Sequence, residues 1–283
     1  MSEIVAGLPR EVVVEVVARA LAEDLDEVGD VTTLATVSPT VVARAELVSR
    51  QDGVVAGLPV AAYVFETVSQ GRARVEFGSA DGARVSAGEV LGTVHGPLRD
   101  LLTAERTALN LIGHLSGVAT LTRRWVDAIA GTGAQVRDTR KTMPGLRVLE
   151  KYAVRCGGGV NHRMSLSDAA LVKDNHVAAA GGVVAAFEAV RAAYPGLPLE
   201  IEVDTVEQAR EVIDAGADLV LLDNMPAATM REVVEYARGR AKLEASGRLS
   251  LDNAREVAAT GVDYLAVGAL THSAPVLDIG LDL

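Results

Sequence analysis

Seven Lys or Arg residues, one histidine and only two carboxylates lie between Arg137 and Arg163. The segment reads RDTRKTMPGLRVLEKYAVRCGGGVNHR, yet the whole chain carries a formal charge of −11. Cations gathered this tightly in an acidic protein suit a small polyanion. Arginine clamps a carboxylate through two parallel hydrogen bonds, and lysine adds a point charge suited to phosphate. Arg140, Lys141, His162 and Arg163 are the candidates to converge on such a ligand. Gly157, Gly158 and Gly159 let the backbone bend tightly beside it. Arg147, Lys151 and Arg155 recur every four residues on one helix face, for which the alternative is a solvated surface. Leu146, Leu149 and Ala153 line another side of that helix. Cys156, with no catalytic pattern around it, reads as a buried core thiol.

A second set of polar residues sits at the ends of short apolar runs. The runs are AQVRDT, ALVKDN, LEIEVDT, LVLLDN, KLEASG and YLAVGA. They end in Asp138-Thr139-Arg140-Lys141, carry Lys173, then Glu202 and Asp204, then Asp223, then Glu244 with Ser246-Gly247, and finish at Gly268. Strand side chains alternate, so Glu200, Glu202 and Asp204 share one face and Ile201 and Val203 the other. With the apolar face against helices, the acidic face points into the sheet interior. Buried carboxylates are costly unless paired or metal-bound. One reading is internal ion pairing, Lys173 with Glu202 and Lys242 beside Glu244. The other is an anion site with a metal, favoured because charge recurs on successive strand ends. EASGRLSLDN and VGALTHSAP then present small residues and free amides at helix starts, which suits phosphate.

The elements that must position these groups follow from periodicity. After Gly131, runs alternate with amphipathic helices (GGVVAAFEAVRAAY, TVEQAREVIDAG, PAATMREVVEYARG, SLDNAREVAATG), and the last four runs recur at roughly 22-residue intervals, the texture of βα units and a parallel sheet. Six runs in about 150 residues are too few for an eight-fold barrel of about 250. The expectation is a barrel-like sheet with fewer units, or an open doubly wound sheet. Before Gly131 the chain mixes a helix over Leu8–Leu25, strands in TVVARAELVSRQDGVVAG, RARVEFG and DGARVSAGEVLGTV, and a helical stretch from Pro97 to Gly131. Pro97 suits a first-turn position, and Gly113 and Gly117 mark a break or a close helix contact.

Composition excludes several classes. An acidic total and 3% aromatics argue against a nucleic-acid partner. One cysteine allows no intrachain disulfide and no cysteine-rich metal site. MSEIVAGLPREVV lacks a signal-peptide pattern, and no apolar stretch approaches the ~18 residues of a membrane span. The expected setting is the cytoplasm, with no membrane partner.

LAEDL…GDVTT, TAERTALNLIGHLSGVAT, the RDTRK…GGGVNHR block, LVKDNH, EIEVD, LLDN, LEASG and DYLAVGALTHS resemble the quinolinate phosphoribosyltransferase family in order, across nearly the whole chain. The resemblance implies an α/β fold: an N-terminal α/β sandwich domain (1–115, with the tail at about 275–283 packing on it) and an open-faced, incomplete α/β barrel (116–274). It implies transfer of phosphoribosyl from phosphoribosyl pyrophosphate to quinolinate with decarboxylation, giving nicotinate mononucleotide, pyrophosphate and CO2. It also implies a Mg2+ cofactor and a homodimer with shared active sites, possibly assembled further. By this resemblance Arg140, His162, Arg163 and Lys173 hold the quinolinate carboxylates, and Arg106 comes from the other subunit. Thr139 and Lys141 line the site. Glu202 and Asp223 bind the magnesium and ribose side. Ser246, Gly247, Arg248, Gly268, Ala269 and His272 match the 5-phosphate region. The expected catalytic set is Lys141, Lys173, Glu202 and Asp223. Arg248 stands where Gly or Asn is common in the family, so it either adds a phosphate contact or points to solvent. Competing readings are a transferase for another pyridine acid such as nicotinate without decarboxylation, an aldolase with Lys173 as Schiff-base lysine, and a non-catalytic binder of phosphorylated sugars. A carrier role for the DGARVSAGEVLGTV hairpin fails because no lysine sits at its turn.

Overall fold

The structure, a computed structural model, describes residues 8–283. The opening residues 1–7, part of the segment read for a signal peptide, lie outside the described residues. The chain divides into two compact units. One takes residues up to 123 with 142–158 and 270–283, the other 124–141 and 159–269.

In the first unit, α1 (Arg10–Leu25) buries Val13, Val17 and Leu21 on one stripe. Asp30 caps α2 (Val31–Thr36) by accepting from the Thr33 N–H at 2.9 Å. β1 (Val42–Ser49) and β5 (Val90–Pro97) form the centre of an antiparallel sheet ordered β12-β1-β5-β3. β3 (Arg74–Phe77) is one edge, and β12 (Ile279–Asp282) is the other. A short ribbon pairs β2 (Gly53–Val54) with β4 (Arg84–Val85). Between them α3 (Leu58–Ser69), not anticipated from the sequence, buries Val60, Ala61, Val64 and Phe65. α4 (Leu98–Ala128) is one unbroken helix that starts just after Pro97, which ends β5 instead of opening the helix. Gly113 and Gly117 do not break it. A Cβ at Gly117 would lie 2.1 Å from the Pro275 carbonyl oxygen, so these glycines admit the C-terminal tail.

Along the sequence the two units interleave, and the first crossing between them falls after residue 123. α4 runs through it, and α5 (Arg147–Cys156) is bonded to first-unit groups. Its Tyr152 hydroxyl donates to Asp81 at 2.6 Å, and its Glu150 meets His114 Nε2 at 2.9 Å.

In the second unit the six apolar runs become β6 (Gln135–Arg137), β7 (Ala170–Val172), β8 (Leu199–Val203), β9 (Leu219–Asp223), β10 (Lys242–Ser246) and β11 (Tyr264–Ala266). All pair in parallel, in the order β6-β11-β10-β9-β8-β7. Among the described residues β6 and β7 do not pair with each other, so the barrel is open there. α6 (Asp174–Ala180), α7 (Val183–Ala193), α8 (Val206–Asp214), α9 (Ala227–Ala237) and α10 (Leu251–Ala258) follow the strands, and α11 (Ala269–His272) begins at the last residue of this unit and continues into the first. Register sets Val172 opposite Ile201 and Ser246 opposite Asp223, which brings the polar strand ends side by side. No single helix is long and apolar enough to cross a membrane.

Candidate active site

A carboxylate fully buried at the end of β6 builds the cationic part of the site. Asp138 Oδ1 accepts the His162 backbone N–H at 2.7 Å, and its Oδ2 accepts the Asn161 side-chain amide at 2.5 Å. Backbone bonds from Val160 N–H to Val136 O (2.9 Å) and from Asp138 N–H to Val160 O (3.1 Å) zip the NHR loop onto the strand. Residues 161–163 are therefore held against the strand that delivers Thr139, Arg140 and Lys141. Thr139 Oγ1 accepts the Lys141 N–H at 3.0 Å and shapes that turn. Arg163 Nη1 donates to the Ala169 carbonyl at 3.1 Å. Burial, and then the nearby charge of Arg140, hold the Arg163 guanidinium below its ordinary range. Two cations that disfavour each other in a partly desolvated place favour an anion between them.

Beneath them lies a charged interior. His162 Nε2 is paired with Glu200, and Arg137 Nη1 reaches Glu244 at 2.5 Å while its guanidinium stacks over Tyr264 at 4.8 Å. Glu200 and Glu244 are buried, and each has an Oε1 with no hydrogen-bond partner of its own. Burial is the largest cause pushing both carboxyls up to about 7, against the opposing charge of Arg137. The donors of His162, Glu200 and Glu244 lie within 4.8 Å of one another, but Arg137 already supplies the positive charge a metal would bring there.

At the next strand ends, Lys173 Nζ meets Glu202 Oε2 at 2.6 Å, half exposed, as the ion-pair reading expects. The companion pair is different: Lys242 bonds Asp263 at 2.5 Å, not Glu244. Asp204 does not join the acidic interior but is exposed where the chain enters α8. Asp223 accepts the Asn224 side-chain amide at 2.6 Å. Glu202 and Asp223 are hard oxygen donors on neighbouring strands, both part-exposed, and such carboxylates fit Mg2+ that keeps water and phosphate ligands. After β10, Gly247 (φ 84°) and Arg248 (φ 52°) are both left-handed. A Cβ on Gly247 would sit 2.3 Å from Asn224 Oδ1. Asn253 fixes the loop by accepting the Ser250 N–H and donating to the Arg248 carbonyl. The positive φ at 248 explains why Gly or Asn suits the position, and the Arg248 side chain is exposed.

The chain matches the model of the quinolinate phosphoribosyl transferase C-terminal domain over residues 118–282 and that of the N-terminal domain over 30–116. It belongs to the quinolinate phosphoribosyltransferase family. It is 55% identical to the nicotinate-nucleotide pyrophosphorylase [carboxylating] of Mycobacterium leprae, covering 95% of this chain and 96% of that one. Among solved structures, the nicotinate-nucleotide pyrophosphorylase of Francisella tularensis superposes with a TM-score of 0.94 at 35% identity, over 100% of this chain and 99% of that one. NadC from Streptococcus pyogenes gives 0.94 at 37% identity, over 99% and 98%.

The second unit of this quinolinate phosphoribosyltransferase relative brings together Thr139, Arg140, Lys141, His162, Arg163, Lys173, Glu202, Asp223, Ser246, Gly247 and Arg248 at strand ends. Gly268 and Ala269 follow at the start of α11, which His272 closes, its Nδ1 2.6 Å from Ser273 Oγ. Arg106 belongs to the first unit and is exposed on α4. Sequence reasoning passed over Asp138 as a tether and over Arg137 and Glu244 as interior partners. Their one signal was charge inside apolar runs. The helix face of Arg147, Lys151 and Arg155 is not uniformly solvated: Lys151 is fully buried, Arg147 donates to Thr142 Oγ1 at 3.0 Å, and Arg155 is exposed. Cys156 is half-buried instead of core, and burial pushes its thiol up to about 11, which keeps it unreactive.

Proposed function

We propose that this protein transfers phosphoribosyl from phosphoribosyl pyrophosphate to quinolinate and decarboxylates the product to nicotinate mononucleotide. The observation that supports this most is the juxtaposition of Arg140 and Arg163, with Arg163 bonded to the Ala169 carbonyl just ahead of β7, the strand that Lys173 follows. Two carboxylates on adjacent ring carbons need that many cations to leave water together.

Arg140, Arg163 and Lys173 clamp the dicarboxylate and aim the ring nitrogen at ribose C1. Amides of the Gly247–Leu249 loop and of Gly268–Ala269 take the 5-phosphate, and Glu202 and Asp223 hold the ribose hydroxyls. The nitrogen forms its bond to C1 as the bond to pyrophosphate breaks, through an oxocarbenium-like state. Lys141 neutralises the leaving group. Mg2+, held when bound by Glu202 and Asp223, supplies charge neutralisation on the phosphate oxygens. The alkylated nitrogen is positive and accepts the electron pair left at C2 as CO2 departs, and that carbon then takes a proton from water. The exposed Arg106 serves the site of a partner subunit in a homodimer.

The test is a product assay with Mg2+, phosphoribosyl pyrophosphate and quinolinate, and with nicotinate in parallel. Nicotinate mononucleotide and CO2 are expected in equal amounts from quinolinate alone. Turnover of nicotinate only would overturn the dicarboxylate reading. The variant K173A is expected to lose turnover by at least about a hundredfold while keeping the wild-type melting temperature, and near-normal activity in it would remove Lys173 from the mechanism.

A further inference from the structure

Asn224, the first residue after β9, takes no part in the chemistry above, yet it touches both halves of the phosphoribosyl site. Its backbone is left-handed (φ 53°), a region that asparagine enters more readily than most residues with a side chain. Its N–H donates to the Ser246 carbonyl at 2.9 Å. That bond carries the β9–β10 ladder one step beyond the Asp223–Ser246 register pair. The side chain then faces two ways. Nδ2 donates to Asp223 Oδ2 at 2.6 Å. Oδ1 lies against Gly247, where a Cβ would collide with it.

We infer that Asn224 is a positioning residue: it holds the Asp223 carboxylate at a set distance from the Gly247 turn and so matches the ribose anchor to the 5-phosphate anchor. A furanose fixes the separation of its ring hydroxyls from its 5-phosphate, so anchors that drift apart cannot both be satisfied. Held through Oδ2, Asp223 presents Oδ1 to the ribose. The inference deepens the function proposed above and rests on it for its kinetic arm.

Two substitutions separate alignment from the mere filling of space. N224G keeps the left-handed turn and the bond to Ser246 and loses only the side chain. N224D keeps the shape but sets an acceptor where Asp223 needs a donor. Both are expected to melt as wild type and to raise the KM for phosphoribosyl pyrophosphate at least about fivefold. Quinolinate affinity, measured alone by calorimetry, should stay unchanged in both. A smaller rise in either variant overturns the proposal, and so does an equal loss of quinolinate affinity. The second arm needs neither turnover nor metal. Ribose 5-phosphate spans both anchors, whereas inorganic phosphate fills only the Gly247 loop. In N224G, which adds no charge, ribose 5-phosphate should bind at least about fivefold more weakly by calorimetry, with inorganic phosphate unaffected. Equal weakening of the two ligands, weakening of neither, or no binding of ribose 5-phosphate by the wild type overturns the proposal. Wild-type protein that forms no nicotinate mononucleotide defeats the functional proposal instead, and the comparison of the two ligands still decides the role of Asn224.

Discussion

At the scale of single residues, burial decides which charges work and which hold. Lys173 is half exposed beside Glu202, open to a ligand, whereas Glu200 and Glu244 are closed off and neutralised internally. A carboxyl whose folded value is raised from 4.5 to about 7 favours its protonated form in the native state. Its contribution to stability is complete below the unfolded value near 4.5 and is lost as pH rises through about 7. The expected outcome is a fall in stability of about 1–3 kcal/mol between pH 4.5 and 8 from this pair. E244Q, which keeps a neutral donor toward Glu200, should flatten that slope in denaturant titrations. An unchanged slope would mean that the pair holds no proton. The sequence disclosed the faces of these residues through the period-two alternation of LEIEV, but not their partners. Lys242 opens β10 and so belongs with the strand starts, where Asp263 waits, while Glu244 two residues on faces Arg137 across β11. Sequence spacing carries no such cross-strand information.

Among elements, the turns and close crossings are the least forgiving. Gly247 needs both a positive φ and the space that Asn224 leaves. G247A is expected to raise the KM for phosphoribosyl pyrophosphate about tenfold while quinolinate binding, measured alone by calorimetry, is spared. G117A drives a Cβ to 2.1 Å from the Pro275 oxygen, and a loss of about 2 kcal/mol is expected in chemical denaturation. A smaller loss would show that the tail yields. The six strands and the helices between them were legible because apolar period changes at each junction and each strand ends in a polar group. The order β6-β11-β10-β9-β8-β7, the helix α3 and the continuity of α4 through two glycines were not. They are settled by packing against distant segments.

For the whole molecule, the interleaved division of the chain and the position of Arg106 raise a question of assembly. In a dimer with shared sites, R106A is defective as a donor and K173A as a recipient. Co-expressed, half of the random dimers would be mixed, each with one intact site. Recovery of about a quarter of wild-type activity is expected, from two variants that are each inactive. No recovery would mean that each subunit completes its own site. The family resemblance supplied this expectation, since no pattern of charge or spacing along one chain announces that a residue works elsewhere.

The pairing of β12 with β1 has a consequence for how the protein is made. A ribosome finishes β1 more than two hundred residues before it reaches Ile279, so the edge of β1 that β12 covers stays open through most of synthesis. The six βα strands, from Gln135 to Ala266, emerge in an unbroken series and can pair as they appear. The unit whose first strand is made early is thus the one whose sheet is closed late, and the nascent protein carries an exposed strand edge of the kind chaperones guard until Ile279–Asp282 have emerged.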